Sequence, residues 1–270
     1  MKPELYLDSG AFSAWTQRKP FHIDDYIAFI KANLDCFDYV INLDVIPGNF
    51  GRTPTADEVE TSARQSWENY LYMREFGIDS IPVFHMGERF YWLDKMMDYG
   101  CDYIGVSPAN DRTSNAKIRW MDTVFDHITT PQGAPMIKTH GFAVTSFPML
   151  YRYPWYSADS TSWIMHAVYG HIVLPAIRND MTFDYSISPQ VVTISERDVS
   201  RKVDLKHFNH YGDVSQQFIR EYVQQCGTTI EQCKNSYDAR ARVNIRTFQM
   251  AAANKPDVPY KKRSRPGFFV

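Results

Sequence analysis

The chain has 270 residues, of which 44% are hydrophobic and 15% aromatic, so it can bury a large core and is neither disordered nor fibrous. Its 29 Lys and Arg against 31 Asp and Glu give a formal net charge of −2, which excludes a general positive field that would draw it to nucleic acid or membranes. The four cysteines are scattered, which predicts reduced thiols. The sequence has no signal-peptide pattern and no apolar run of about 20 residues, which predicts a cytoplasmic protein with no membrane contact.

In chain order, short β-rich runs that end in a polar residue or glycine alternate with longer helical patterns. The runs are ELYLD, FDYVINLD, SIPVFHMG, YIGVSP, MIKTHGFA, WYSADS and HIVLPAI. After the second run, Thr55 is a predicted helix N-cap with Glu58 three residues on, and Gly77 is the predicted end of that helix. This alternation predicts a mostly parallel sheet.

A weaker eighth run, PQVVTIS, favours an α/β fold of the TIM-type (β/α)8 barrel kind, which need not be fully regular. No GxGxxG follows the first strand, so a dinucleotide-binding doubly wound sheet is less favoured. From about residue 213 the pattern becomes helical, in VSQQFIREYVQQCG and TIEQCKNSYDARARVNIRTFQMAAANKP. We therefore predict a catalytic barrel domain over residues 1–200 and, over residues 201–270, a helical C-terminal extension packed on the barrel with a basic tail.

Ionisable and small residues stand where the predicted strands end. They are Asp8, Asp44, His85 with Gly87, Ser107, His140 with Gly141, and Asp159. In a parallel barrel these ends meet at one mouth, which holds the active site. Each residue alone has an ordinary interpretation as a turn or core residue. Like charges gathered in a partly buried mouth, however, cost stability unless a function retains them, so we interpret the set as functional.

Several reactions suit such a set. Two carboxylates on opposite sides of a substrate can act as nucleophile and general acid/base in glycosyl transfer, and a third can accept hydrogen bonds from a nucleobase. Asp8, His85, His140 and Asp159 could instead bind the metal of a hydrolase. There is no HxH near the first strand and no HExxH, so the metal-dependent hydrolase ranks second. A catalytically inactive nucleic-acid-binding barrel is the third hypothesis.

Four segments resemble, in the same order, the motifs of the tRNA-guanine transglycosylase superfamily. LDSGAF resembles its DSGG(F/Y) signature, and NLDVIPG resembles the aspartate-bearing strand that follows. VFHMGERFYWLDKMMDYGCDYIGVSP is similar to its QGG segment, and KTHGFAVTSFPMLYRYPWYSADSTSW to the stretch between a GVG turn and the nucleophilic aspartate. The resemblance extends from residue 5 to about 165. It is greatest to short, phage-borne, queuine tRNA-ribosyltransferase-like members, which are related to the DpdA group that inserts 7-deazaguanines into DNA.

The resemblance implies a pentosyltransferase that exchanges guanine in nucleic acid for a 7-deazaguanine base through a covalent glycosyl-enzyme. It implies that Asp159 attacks C1′, that Asp8 is the general acid/base, that Phe12 stacks on the purine and that Asp44 accepts from its Watson–Crick edge. The other residues expected to bind substrate are Ser9, Gly10, His85, Gly87, Ser107, His140 and Gly141. Two of these depart from the family, since His85 replaces a Gln and Ser107 a glycine.

No organic or redox cofactor is expected for this exchange. His207, His210, Cys226 and Cys233 could in principle hold a structural zinc, but their spacing fits zinc-finger patterns poorly. The CxCxxC…H pattern of the tRNA-acting members does not occur here. We therefore predict no metal, and we favour DNA over tRNA as the nucleic-acid partner. In a phage-encoded protein the compartment would be the cytoplasm of the bacterial host.

Two basic stretches need an interpretation. Arg240, Arg242 and Arg246 lie in DARARVNIR, and the tail YKKRSRPGFFV carries Lys261, Lys262, Arg263 and Arg265. We interpret both as solvated surfaces, with contact to phosphates as the alternative. Aromatic side chains that could receive a base taken out of the stack are Phe12, Trp15, Trp155, Tyr156 and Trp163.

Overall fold

The computed structural model describes residues 4–19, 21–109, 112–144, 146–178, 180, 182–196 and 207–263. Among them, the chain forms two compact units. The first unit comprises residues 4–142, Trp155–Ser157 and residues 260–263, and the second comprises residues 143–154 and 158–259. The boundary that we predicted between residues 200 and 201 lies outside the described residues.

The first unit alternates strands with helices, as predicted. Its strands are β1 (Tyr6–Leu7), β2 (Tyr39–Val40), β3 (Val83–His85), β4 (Tyr103–Ser107), β5 (Lys138–Gly141) and β6 (Ser157–Ala158), whose second residue belongs to the second unit. Its helices are α1 (Ala11–Gln17), α2 (Ile23–Ala32), α3 (Ala56–Glu75), α4 (Phe90–Asp98) and α5 (Ser114–His127).

These strands pair in chain order. β1 is parallel to β2, and β3, β4 and β5 are parallel to one another, with β6 next to β5. A parallel bridge between Ile41 and Ile81 links the end of β2 to the segment before β3. Each strand is separated from the next by at least one helix or a long connection, which is the arrangement that parallel pairing requires. The mixed α/β class and the parallel sheet are therefore confirmed.

The longest helix, α3, begins and ends where the sequence predicts. The Thr55 hydroxyl accepts a hydrogen bond from the Glu58 backbone N–H at 3.3 Å, and the Glu58 carboxylate accepts one from the Thr55 N–H at 2.8 Å. This reciprocal capping box satisfies two backbone donors that the first helical turn leaves without partners. After the helix, Gly77 has φ 77°, which a residue without a side chain adopts at little cost.

The sheet of the first unit is strongly curved. The Tyr6 ring of β1 stacks on Tyr39 of β2, and its hydroxyl lies 3.1 Å from that of Tyr103 in β4. It also stacks on His140 of β5, with ring centroids 5.3 Å apart. Strands are spaced about 4.8 Å apart, so in a flat sheet β1 and β5 would be separated by roughly 19 Å. The strands must therefore curl around these rings.

The opposite face of the sheet packs against helices. Because side chains alternate along a strand, Leu7 and Val40 point away from the tyrosines, and they pack in one apolar cluster with Ile27 of α2. Phe84 of β3 is fully buried and stacks on Trp120 of α5 at 5.8 Å. Helices thus cover the outer face, and the inner face carries the tyrosines together with His85 and His140.

Gly105, in the middle of β4, is required by close packing. A Cβ atom built at this position would lie 2.5 Å from the Phe142 ring. We expect Gly105→Ala to destabilise the protein by about 1–3 kcal/mol, because the aromatic ring would have to move out of a dense core. Urea denaturation checks this. Gln65→Ala, at an exposed position within α3, is the control, and an equal loss in both variants would contradict the packing argument.

The second unit combines helices with antiparallel strand pairs. Its elements are α6 (Phe147–Arg152), α7 (Ser162–Val168), β7 (His171–Leu174), β8 (Ala176–Ile177), β9 (Phe183–Asp184), β10 (Gln190–Thr193), α8 (Asp213–Gln225), α9 (Ile230–Asn235) and α10 (Tyr237–Ala253). β7 pairs with β10, and β8 with β9, both antiparallel. The core between strands and helices contains Ile172, Val192, Tyr222 and Val243.

Two expectations for this part of the chain need refinement. PQVVTIS forms a strand, β10, but this strand is antiparallel to β7, whereas an eighth strand of a parallel barrel would be parallel to the seventh. The helical pattern after residue 213 is confirmed, but its second part is two helices, because Ser236 ends α9 and caps α10. None of the helices in the described ranges has the length and apolar character needed to cross a bilayer.

Candidate functional site at the strand ends

Four of the predicted site residues stand at the carboxyl ends of consecutive parallel strands of the first unit. Asp8 follows β1 directly, Asp44 lies shortly after β2, His85 is the last residue of β3 and Ser107 the last of β4. The strand register pairs His85 with Ser107, so these two side chains point to the same face. The same edge of the sheet therefore carries all four residues.

A buried group of three side chains forms the centre of this edge. His85 Nε2 lies 2.8 Å from a carboxylate oxygen of Asp44, and His85 Nδ1 lies 2.8 Å from a carboxylate oxygen of Glu88. The side chains are 8%, 11% and 1% exposed for His85, Asp44 and Glu88. We call Asp44, His85 and Glu88 the strand-end triad. Both nitrogens of the imidazole are thus engaged by carboxylates.

The two carboxylates decide the charge of His85. Burial alone lowers the pKa of a histidine, but here the Glu88 charge and the hydrogen bonds to Asp44 and Glu88 outweigh it and raise the pKa of His85 to about 10. At neutral pH the ring is therefore an imidazolium that donates one N–H to each carboxylate. Such charge-assisted hydrogen bonds hold the Asp44 carboxylate in a fixed orientation.

Asp8 and Ser9 lie beside the triad. The Ser9 hydroxyl is 3.4 Å from the second oxygen of Asp44. Burial raises the pKa of the Tyr26 phenol, and the negative charges of Asp8 and Asp44 raise it further. Tyr26 donates to the backbone carbonyl of Ile41 at 2.9 Å. Asp8, whose side chain is exposed, and Asp44 thus both follow the carboxyl ends of paired strands.

The segment after β1 presents an aromatic ring next to Asp8. Gly10 has φ 73° and is the N-cap of α1, a backbone conformation that is easiest for glycine. The turn begins a helix in which Phe12 is 48% exposed and lies 5.9 Å from the Trp15 ring. An exposed phenyl ring two residues after the turn is a surface on which a planar ligand can stack.

Helix α3 fixes the backbone on both sides of Asp44. The Asn42 amide donates to the Ser66 carbonyl at 2.9 Å, and the Ser66 hydroxyl accepts from the Val45 N–H at 2.8 Å. Asn42 and Ser66 are buried, so these hydrogen bonds are protected from water. The position of Asp44 is thus set by the fold before any ligand binds.

Glu88 is the residue of this site that sequence reasoning missed. Gly87 has φ 109°, and this turn returns the chain so that the Glu88 N–H donates to the His85 carbonyl at 3.1 Å. The role of Gly87 is therefore to shape the turn. The other carboxylate oxygen of Glu88 is buried, with no hydrogen-bond partner among the residues that the structure describes. A histidine followed three residues later by a glutamate across a glycine, as in HMGE, is the signal that could have predicted the contact.

His140 takes part in a second polar chain on the inner face of the sheet. Its Nδ1 lies 2.6 Å from the Ser157 hydroxyl, which in turn lies 2.5 Å from the Tyr103 hydroxyl. Burial is the main cause that raises the pKa of the Tyr103 phenol, so this phenol stays protonated. His140 thus lies against the Tyr6 ring and opposite Gly105, in the middle of β4, and Gly141 follows it as the last residue of β5.

Asp159 follows β6 and belongs to the second unit. Its carboxylate accepts a hydrogen bond from the Ala143 N–H at 3.0 Å, and the side chain is exposed. Ala143 has φ 51°, a left-handed conformation that is uncommon for a residue with a side chain and is often retained at functional positions. Asp8 belongs to the first unit, and the arrangement of Asp8 and Asp159 on opposite sides of a substrate stays a prediction.

The structure corrects the interpretation of Arg240 as part of a basic surface. Arg240 is 2% exposed, and its guanidinium donates to the carbonyls of Ala167 at 2.7 Å and Cys233 at 2.8 Å. These contacts connect three segments of the second unit. Arg240 therefore supports the fold and is not available to phosphates, whereas Arg242 and Arg246 are exposed.

The residues weighed for a zinc site lie in the second unit. The Cys226 and Cys233 thiols are buried, which raises their pKa to about 11 and about 12, so they stay protonated. The rings of His207 and His210 are 5.8 Å apart. Within the described ranges, no group of three or more His, Cys, Asp or Glu side chains is arranged to hold a metal ion.

The basic tail is partly fixed to the first unit. Lys262 Nζ donates to the Asp126 carbonyl at 2.8 Å, and the Arg263 N–H lies 3.0 Å from both carboxylate oxygens of Asp126. The tail is thus attached to α5 up to residue 263. The last basic residue predicted there, Arg265, lies outside the described residues.

Comparisons with known proteins add nothing to this geometry. No protein-family model, curated protein or solved structure matches the chain. We call the strand-end triad together with Asp8, Ser9 and Phe12 the strand-end site. What this site can bind follows from these residues alone.

Proposed function

We propose that this protein is a nucleic-acid guanine transglycosylase that replaces guanine by a 7-deazaguanine base, with DNA as the favoured polymer. The observation that carries the proposal is the carboxylate of Asp44, held in place by the His85 imidazolium beside Asp8 at the carboxyl ends of parallel strands. The likeness of four segments to transglycosylase motifs supports the same reaction.

The chemistry of guanine matches the Asp44 site. The Watson–Crick edge of guanine presents two adjacent N–H donors, and an ionised carboxylate is an acceptor with several lone-pair sites. His85 and Ser9 contact Asp44 from the protein side, at 2.8 Å and 3.4 Å, and orient it. In this proposal Asp44 reads the base and Phe12 provides the surface on which the base stacks.

The proposed reaction is a double displacement. Asp159 attacks C1′, the bond from C1′ to the guanine nitrogen breaks with its electron pair leaving on guanine, and Asp8 donates the proton that neutralises the leaving base. The entering base then returns a proton to Asp8, and its nitrogen attacks C1′ as the bond to Asp159 breaks. One N-glycosidic bond is lost and one is formed, so no oxidant and no organic cofactor is consumed.

We also propose that the parallel strands of the first unit are part of a TIM-type barrel, with the strand-end site at its mouth. The curvature that brings β1 to within ring contact of β5 supports this. Active sites of such barrels lie at the carboxyl ends of the strands.

The metal-dependent hydrolase is less well supported. An imidazolium has no lone pair for a metal ion, and both nitrogens of His85 are engaged by carboxylates. His85 would have to give up both hydrogen bonds, and a proton, to become a ligand. We therefore keep the hydrolase, and the inactive nucleic-acid-binding barrel, as outcomes of the experiment below.

Labelled guanine tests the proposal directly. We expect incubation of the protein with radiolabelled guanine to transfer label into DNA, with less or none in tRNA, and we expect a chelator to leave the rate unchanged. Label in neither polymer, with DNA of varied sequence offered as single and double strands, would contradict the proposal, and DNA binding retained without any label would favour the inactive nucleic-acid-binding barrel. Stoichiometric bound metal, with an activity that a chelator abolishes, would favour the hydrolase instead.

A further inference from the structure

A groove of about 410 Å³ lies in the second unit, and none of its lining residues belongs to the strand-end triad. The residues that line it come from α7 and α10. They are Trp163, Tyr237, Asp238, Ala241, Arg242, Ile245 and Arg246. This volume is within the range of sites for small ligands, and it suits one nucleotide unit better than a duplex.

The groove is built on one face of α10. Its lining residues on α10 recur at intervals of three and four, so they form a single stripe along the helix. The opposite face is buried, where Asn244 donates to the Trp163 carbonyl at 2.9 Å and accepts from the Val173 N–H at 2.7 Å. Arg240 and Thr247 add further hydrogen bonds on that face. The Trp163 backbone is therefore held against α10 by hydrogen bonds of the fold itself.

The lining side chains combine charge with flat rings. Arg242 and Arg246 are exposed and stand one helical turn apart, and Arg246 is oriented by a hydrogen bond to Gln249 at 3.3 Å. Tyr237 is exposed and Trp163 half-buried, so both rings are accessible from the groove. Guanidinium groups match phosphates, and bases stack on aromatic faces. Asp238, at the first turn of α10, can accept from the amino group of a base.

We propose that this groove binds single-stranded nucleic acid, with phosphates on Arg242 and Arg246 and a base stacked on Trp163 or Tyr237. The inference rests on the proposed function in taking nucleic acid as the ligand, but it uses none of the residues of the strand-end site. The net charge of the chain is −2, so attraction to a phosphate backbone requires a local basic site of this kind.

Fluorescence anisotropy with a labelled DNA single strand of about 12 nucleotides tests the groove. We expect Arg242→Ala with Arg246→Ala to raise the Kd about tenfold or more. For single strands each lost phosphate contact lowers the slope of log K against log salt by about 0.7, so we expect a fall of about 1.4. The control variant, Arg64→Ala with Arg119→Ala, removes the same charge from exposed positions of the first unit and should bind as wild type does.

Equal weakening in both double variants, or an unchanged Kd in the groove variant, would overturn the inference. The single-strand assignment would also be overturned if the wild type bound a duplex as tightly as a single strand and the groove variant lost that duplex binding. For stacking, we expect Trp163→Phe to keep near wild-type affinity and Trp163→Leu with Tyr237→Leu to weaken binding about fivefold or more, and wild-type affinity in the double Leu variant would overturn the stacking. If the groove variant loses binding while no polymer takes up guanine, the proposed function fails alone. If guanine is exchanged while the groove variant binds normally, only the groove assignment fails.

Discussion

Asn in place of Asp159 is expected to lower the rate of base exchange by at least about 10³-fold and to remove the covalent intermediate. An amide is a poor nucleophile towards C1′, but its oxygen can still accept the Ala143 N–H that Asp159 binds at 3.0 Å. The loop should therefore keep its structure while the chemistry is lost. The measurement is a denaturing gel, on which wild-type protein and nucleic acid without entering base should give an adduct that Asp159→Asn does not form.

The control for this variant is Asp257→Asn, which makes the same change at an exposed aspartate of the second unit and should leave exchange and adduct unaltered. Asp8→Asn tests the other half of the predicted pair. We expect it to slow exchange by about 10²–10⁴-fold, the range of general acid/base catalysis. An adduct that forms equally well in wild type and Asp159→Asn would refute the mechanism.

The second large effect is expected at the strand-end triad. Glu88→Gln removes one of the two carboxylates that hold the buried His85 imidazolium, which should destabilise the protein by about 3–5 kcal/mol at neutral pH. Gln has nearly the same shape as Glu, so the loss should come from charge. Asp94→Asn makes the same change beside His127 at the surface, where the expected loss is about 0–1 kcal/mol.

The pH dependence identifies the imidazolium as the cause. The folded pKa of His85, about 10, lies above the value of about 6.5 in the unfolded chain, so the native state binds one more proton between these values. The contribution of His85 to the free energy of unfolding is complete below pH 6.5. It declines by about 1.4 kcal/mol per pH unit as the pH rises towards 10. In urea denaturation, we expect the difference in free energy of unfolding between wild type and Glu88→Gln to become smaller from pH 7 to pH 10. An NMR titration that shows the His85 ring to be neutral at pH 8 would contradict this prediction.

Much of the first unit could be predicted because its determinants are local. Thr55 and Glu58 are three residues apart, and the capping box they form follows from that spacing alone. The meeting of Asp8, Asp44 and His85 could be predicted from a general property of parallel strands, whose carboxyl ends share one edge. The antiparallel pairing of β10 with β7 could not, because PQVVTIS reads the same in either orientation.

Two charged residues differ in the structure from what the sequence predicts. DARARVNIR places Arg240 with Arg242 and Arg246, but at helical spacing Arg240 shares its face with Val243, Asn244 and Thr247, all of which are buried. Glutamate is usually exposed, whereas here a turn at Gly87 returns Glu88 to a buried histidine. In both cases the charge is buried only because specific partners satisfy it.

The attachment of residues 260–263 to α5 has a consequence for biosynthesis. The first unit is assembled from residues 4–142, from Trp155–Ser157 and from the segment that binds Asp126. In Trp155–Ser157, the Tyr156 N–H donates to the Thr139 carbonyl. A ribosome that adds about 5–20 residues per second needs roughly 6–25 s between residue 142 and the last of these segments. During that interval α5 lacks its contacts with residues 260–263. The first unit is therefore completed only after the second unit has been translated.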